Sequence, residues 1–148
     1  MSFLDSLNIA GSALTAERLR MDIISQNIAN RNTTRTQDGG PYRRKQVVFE
    51  ERGLDFQAIL DTKRSRTKAG GGGGGVRVSR IVESDAPFIP VYDPDHPDAN
   101  EEGYVMMPNV NASEELIDFM AASRAYEANI TAINIIKAMA MQALEIGK

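Results

Sequence analysis

Cysteine is absent from the 148-residue chain, and histidine occurs once, at His96. Those two shortages exclude a disulfide framework, a thiolate zinc site, a cysteine nucleophile and any multi-histidine metal site. Tryptophan is missing as well and aromatic residues make up only 6% of the chain, which argues against a large aromatic-rich core in a chain of one-domain size. Positive charge is not in excess, with 17 Lys+Arg against 20 Asp+Glu and a net charge of -3, so nucleic acid is not an expected partner. A long uninterrupted apolar run is also lacking. The most apolar stretch, Ala128 to Ile146, is broken by Asn129, Thr131, Asn134, Lys137, Gln142 and Glu145, and no membrane insertion is expected of it. Met1 to Ala16 has no basic leader, carries Asp5, and is interrupted by Asn8, Ser12 and Thr15; no cleavable signal peptide is expected.

What the chain does have is helical periodicity at both ends. From Ser2 to about Ala29 there is no proline and only Gly11, and apolar residues recur at Leu7, Leu14, Met21 and Ile28 beside Phe3, Ala10 and Ile24. This heptad-like stripe predicts one helix, with Ser2 and Asp5 at its start and an end near Asn30. A second seam runs from about Ser113 to Leu144 through Leu116, Phe119, Ser123, Tyr126, Ile130, Ile133, Lys137, Ala140 and Leu144. Asn111 and Glu114 supply its expected cap. A helix of about 34 residues spans roughly 50 Å, too long for so small a globule to cover. Oligomerisation is the expected completion, because apolar side chains left in water forgo roughly 1.5–3 kcal/mol each. The small residues Ala121, Ala122, Ala125, Ala128 and Ala132 would let another helix approach closely.

Between them, residues 31–111 hold all six prolines and the glycine run 70–75, and read as a small irregular domain. Strands are expected from Tyr42 to Glu50 and from Val76 to Val82. A short amphipathic helix through Leu54, Phe56, Ile59 and Leu60 is expected between them, then the basic run Lys63 to Lys68, then a glycine loop tip. The fold class is therefore mainly α with a small β part. Residues 1–30 and 112–148 are expected to form a terminal helical assembly domain whose two helices pack against each other, and residues 31–111 the middle domain.

Three blocks of sequence resemble the rod and hook axial proteins of the bacterial flagellum. The first is Ala13-Leu14-Thr15-Ala16, Arg20-Met21-Asp22 and Ser25-Gln26-Asn27-Ile28-Ala29-Asn30, continued by Asn32 to Thr36 and Gly39 to Arg44 in a version similar to the proximal-rod branch. The second runs from Val91 to Ala99, through Glu102 to Val105, and from Met107 to Asn111. The third is Glu114-Glu115-Leu116, Asp118 and Ala122 to Asn129. Leu116 stands where the family often has Met, a volume-conserving exchange, and six consecutive glycines exceed what the resemblance leads one to expect. The resemblance implies a structural subunit of the basal-body rod, a drive shaft around an export channel, needed for flagellum assembly and motility, with the terminal helices pairing as its inner, coiled-coil-like layer and the middle as a small outer domain. It further implies that copies of the chain and other flagellar rod proteins are the neighbours, and that the subunit passes through the flagellar type III export apparatus and sits in the rod where it crosses the periplasm.

The residues expected at the assembly interface are Leu7, Leu14, Met21, Asn27, Ile28, Leu116, Phe119, Tyr126, Asn129, Ile130, Ile133 and Leu144. Among them Asn27 and Asn129 are polar groups in mostly apolar seams, placed to fix register or neighbour choice. No catalytic, cofactor-binding or metal-ligating residue is expected, and no cofactor. Two other readings stand beside the rod subunit. One is a metal-dependent enzyme using Asp93, Asp95, His96 and Asp98, although a calcium loop beginning at Asp93 would put Pro97, Asp98 and Tyr104 at positions that require other residues; a proline-stiffened turn with solvated carboxylates accounts for the same residues. The other is a soluble helical adaptor. A nucleotide loop at 70–75 is not expected, since Val76-Arg77-Val78 follows in place of Lys-Ser/Thr. The basic run beside the glycines reads as a solvated face.

Overall fold

A computed structural model of the chain describes residues 3–37, 39–53 and 74–146. The order of elements is α1 (Phe3–Ala29), β1 (Lys45–Glu51), β2 (Val76–Glu83), β3 (Ile89–Tyr92), β4 (Tyr104–Met107) and α2 (Ala112–Ile146). The chain is mainly helical with a small β part, as expected. The expected helix through Leu54 to Leu60, the basic run and most of the glycine run lie outside the described residues.

Both helices form where the periodicity placed them. In α1 the hydroxyls of Ser12, Thr15 and Ser25 bond back to carbonyls one turn earlier, so these polar residues do not interrupt the helix. Asn30 closes it by bonding the Gln26 carbonyl with both its backbone and its side-chain N–H. At the start of α2, Asn111 accepts from the Ser113 N–H at 3.1 Å and its amide donates to Glu114 at 3.2 Å, which satisfies part of the open first turn.

The strands pair as two separate ribbons, β1 with β2 and β3 with β4. Bonds from Ser84 N–H to the Arg44 carbonyl and from Arg52 N–H to the Gly75 carbonyl mark the antiparallel sense of the first ribbon. Its first strand starts at Lys45 and not at Tyr42, because the Tyr42 N–H turns back to the Thr33 carbonyl and closes the preceding loop. That loop reverses on Gly39 and Gly40, both at positive φ near 83°. The second ribbon was not anticipated: Pro87 and Pro90 obscured it, yet Pro90 is accommodated opposite Met106 in a two-stranded ladder where one edge is open. Asp93 to Gly103 make its turn, and Gly103, at φ +82°, lies so close to the Tyr92 ring that an added Cβ would approach within 2.9 Å.

The chain divides into two compact units. The first comprises Met1–Arg18, Phe49–Ser79 and Arg124–Lys148, and its buried apolar residues, among those described, are Ala10 and Ala16. There the Ser12 hydroxyl accepts the Val76 N–H at 3.0 Å, and Gly75, at φ +96°, leaves no room for a Cβ against Ser12. The second comprises Leu19–Val48 and Arg80–Ser123. Its core holds Ile23, Ile24, Tyr42, Val105, Val110 and Ala122.

Candidate functional site

The second unit is organised around a polar cluster. Among the described residues the largest side chains under 2% exposed are Glu115, Asn27 and Pro108, so two of the three are hydrophilic. Burying them demands that every polar atom find a partner. Asn27, in the last turns of α1, uses its full capacity of two donors and two acceptor sites. Its amide N–H groups donate to the Lys45 carbonyl at 2.8 Å and to Glu115 Oε2 at 2.9 Å. Its oxygen accepts from the Lys45 N–H and from the Tyr42 hydroxyl, both at 2.9 Å. The side-chain amide thus pairs with both main-chain groups of Lys45 as a peptide unit of a neighbouring strand would, fastening the start of β1 to α1.

Glu115, fully buried in the first turn of α2, is neutralised by Arg44, whose Nε bonds its Oε1. The same guanidinium reaches Asp118 at 3.2 Å, and Arg20 lies 3.8 Å from Asp118. The Arg44 main chain is held in turn: its N–H donates to Asn109 Oδ1 at 2.9 Å, while the Asn109 amide donates to the Ser84 and Ala86 carbonyls. Tyr42 has its phenol raised above the usual range, first by burial and then by the negative charges of Glu115 and Glu83. The side chains of this cluster spend their hydrogen-bonding groups on one another. Its groups are buried and mutually satisfied, the pattern of a part that fixes three elements in one arrangement.

The expected interface residues fall into three groups. Asn27 is buried in its own chain at 1% exposure, with no hydrogen-bonding capacity left for a neighbour. Leu7, Leu14, Met21, Ile28, Phe119, Tyr126, Asn129 and Ile133 are half-buried, and the Asn129 amide bonds the Ala125 carbonyl of its own helix. Leu116, Ile130 and Leu144 are open, at 55%, 40% and 71% exposure. With them on α2 are Ile117, Met120, Ile135, Met139 and Met141, all more than half exposed. At the start of α2, charged Glu115 faces in, seven residues before fully buried Ala122, and Leu116 faces out. Sequence reasoning missed Glu115, Arg44 and Tyr42. The available signal was Asn27 itself, a polar residue in an apolar stripe that needed partners.

The Asp93 to Asp98 segment is occupied with its own turn. The Asp98 N–H donates to His96 Nδ1 and the Asp98 carboxylate accepts from Thr34 at 2.8 Å. Among the described residues no group of three or more His, Asp or Glu could hold a metal ion, and no helix is long and apolar enough to cross a membrane.

Known proteins share this chain along its whole length. The flagellar basal-body rod protein FlgC of Bacillus subtilis is 49% identical, with all of both chains covered. FlgC of Borreliella burgdorferi is 46% identical over 99% of this chain and 98% of its own, and that of Salmonella typhimurium 40% over all of both. The chain belongs to the FlgC family of flagellar basal-body rod proteins. Two family profiles agree: "Flagella basal body rod protein" matches residues 7–36, and "Flagellar basal body rod FlgEFG protein C-terminal" matches residues 101–146. Within the FlgC family member described here, the profile regions contain Asn27 at one end and Glu115 at the other, so the polar cluster ties together the two parts of the chain that the wider rod family shares.

Proposed function

We infer that this chain is a structural subunit of the flagellar basal-body rod, acting without chemistry of its own. Full-length identity to FlgC proteins carries the reading. The physical support is the row of open apolar side chains on α2. Isolated exposed Leu or Met residues need no explanation, but eight large ones along one helix mark a surface made for protein neighbours. Copies of the chain and other rod proteins cover that surface in a helical array around the export channel, where the rod serves as the drive shaft. Leu7, Leu14, Met21 and Ile28 on α1 and Leu116, Phe119, Tyr126, Asn129, Ile130, Ile133 and Leu144 on α2 contribute to it. The chain reaches the rod through the flagellar export apparatus.

The test is complementation in a flagellated host lacking its own copy. The tagged chain co-purifies with basal bodies and restores swimming. A chain that restores swimming yet stays out of basal bodies, or that fails to restore it although exported and stable, contradicts the reading.

A further inference from the structure

The second unit carries two open surfaces of opposite charge. Its Leu19–Val48 part holds six basic side chains against two acidic, and its Arg80–Ser123 part ten acidic against one basic. Some of that charge is paired inside the unit, where Arg44 and Arg20 meet Glu115 and Asp118. Arg43 and Lys45 are not so paired. They line a cavity of about 490 Å³ together with Pro41, Tyr42, Glu83 and Phe88, and each stands over a ring: the Arg43 guanidinium lies 4.5 Å from the centre of Phe88, and Lys45 Nζ 5.7 Å from that of Tyr42. Stacking on the rings holds both cations in place, and Arg43 is fixed further by donating to the Ser84 carbonyl at 3.3 Å. Among the described residues neither is in an ion pair, and the lining counts two cations against the single carboxylate of Glu83.

The β3–β4 hairpin carries the complement. Residues paired across an antiparallel ladder point the same way, which sets Tyr92 beside Tyr104 at the foot of the turn. The two tyrosines are 65% and 40% exposed, and their rings meet edge to face at 5.3 Å. The turn itself presents Asp93, Asp95, Asp98, Glu101 and Glu102, all exposed. It is tied to the rest of the unit through the Thr34 hydroxyl, which donates to Asp98, and among the described residues no ion pair joins it to Arg43, Lys45 or any other cation.

We propose, on the reading of the chain as an assembling rod subunit, that the acidic turn of β3–β4 in one copy docks in the Arg43–Lys45 cavity of a second copy. A second copy is the occupant because the surface that matches the cavity, in charge and in its aromatic rim, is carried by this chain itself. The carboxylates of the turn meet the two cations, and Tyr92 and Tyr104 pack at the mouth beside Phe88. Cavity and turn are different patches, so the contact is head-to-tail and repeats along a filament instead of closing a dimer. Opposite charge sets the orientation of the two copies, and the rings supply the buried area.

The absence of native cysteine makes the test clean. A flagellated host lacking its own copy produces two forms of the full chain, one with Gln37→Cys on the cavity lining and one with Glu101→Cys on the turn. Basal bodies are isolated after treatment with a short bismaleimide. The expected result is a covalent pair joining positions 37 and 101 of different copies, identified by its linked peptide. Its yield falls by about tenfold or more when Arg43 and Lys45 are both changed to Glu in the first form, and returns when Asp93, Asp95 and Glu102 are changed to Lys in the second. Basal bodies that contain both forms but no such link overturn the proposal and leave the rod reading standing. So does a link indifferent to the charge reversal, a loss that the reversed turn does not restore, or a Glu101→Cys link to another rod protein alone. A link found only within one copy, seen when a doubly substituted chain is diluted among native ones, overturns it too. A chain absent from basal bodies overturns the rod reading itself.

Discussion

The two compact units differ in the polar side chains they bury. In the second, an amide, a carboxylate and a phenol lie inside, each bonded to a named partner from α1, α2 or the segment leading into β1. In the first, the apolar residues buried among those described are two alanines, and the portion of α2 assigned to it carries open Ile130, Ile135, Met139, Met141 and Leu144. The difference teaches what each kind of interaction contributes. Directional polar bonds, which fail unless geometry is right, specify the second unit within one copy. Non-directional apolar area is left open along α2 in both units, at Leu116, Ile117 and Met120 in the second and at Ile130, Ile135, Met139, Met141 and Leu144 in the first.

The sharpest way to break that contrast is to strand the buried carboxylate. Arg44→Met retains most of the side-chain bulk and leaves Glu115 without its cation, which costs about 3–5 kcal/mol in the isolated chain, measured by urea unfolding. Asn27→Ala leaves both main-chain groups of Lys45, the Tyr42 hydroxyl and one Glu115 oxygen short of a partner, and is expected to cost about 2–4 kcal/mol in the same measurement. Equal stability for either variant would mean that the polar cluster does not specify the second unit.

Tyr42→Phe is milder, about 1 kcal/mol at neutral pH, since Asn27 Oδ1 keeps the Lys45 N–H. Its value lies in the pH dependence. The folded phenol is raised above the usual value, so its contribution is fully present below about pH 10 and is lost as pH climbs through the folded value. The parent chain therefore loses stability more steeply in alkali than Tyr42→Phe, and parallel curves would contradict the assignment. Smallest of all in the isolated chain is Met139→Asp or Leu144→Asp, within about 0.5 kcal/mol because both positions already face water. The same changes block incorporation into basal bodies, where each would bury an unpaired charge. A large loss of stability in the isolated chain would show that these side chains already have partners.

The helices were legible in the sequence because a period near 3.6 is written in the chain itself, and their observed bounds lie within two residues of those expected. The face each helix buries was less so. In α1 Ala10 and Ile24, which flank the expected stripe, are buried together with Ala16, Ile23 and Asn27, while Leu7, Leu14, Met21 and Ile28 are half-buried. Asn27 is buried because its partners, Tyr42, Lys45 and Glu115, come from distant segments that periodicity does not report. Glu115 and Leu116 make the point most plainly. Nothing in the periodicity reports that Glu115 turns inward; its partner Arg44 lies 71 residues away. The β3–β4 ribbon was hidden by its prolines, which an open edge tolerates.

Hydrogen exchange on the isolated chain and on chain within basal bodies tests the central claim most directly. In isolation the amides of Arg44, Lys45 and Ser84, which are bonded within the second unit, exchange slowly, and those of α2 beyond Ile130 exchange much faster. In basal bodies both sets are slow. If the end of α2 is as protected in the free subunit as it is in the rod, the helix needs no neighbours and the account is wrong.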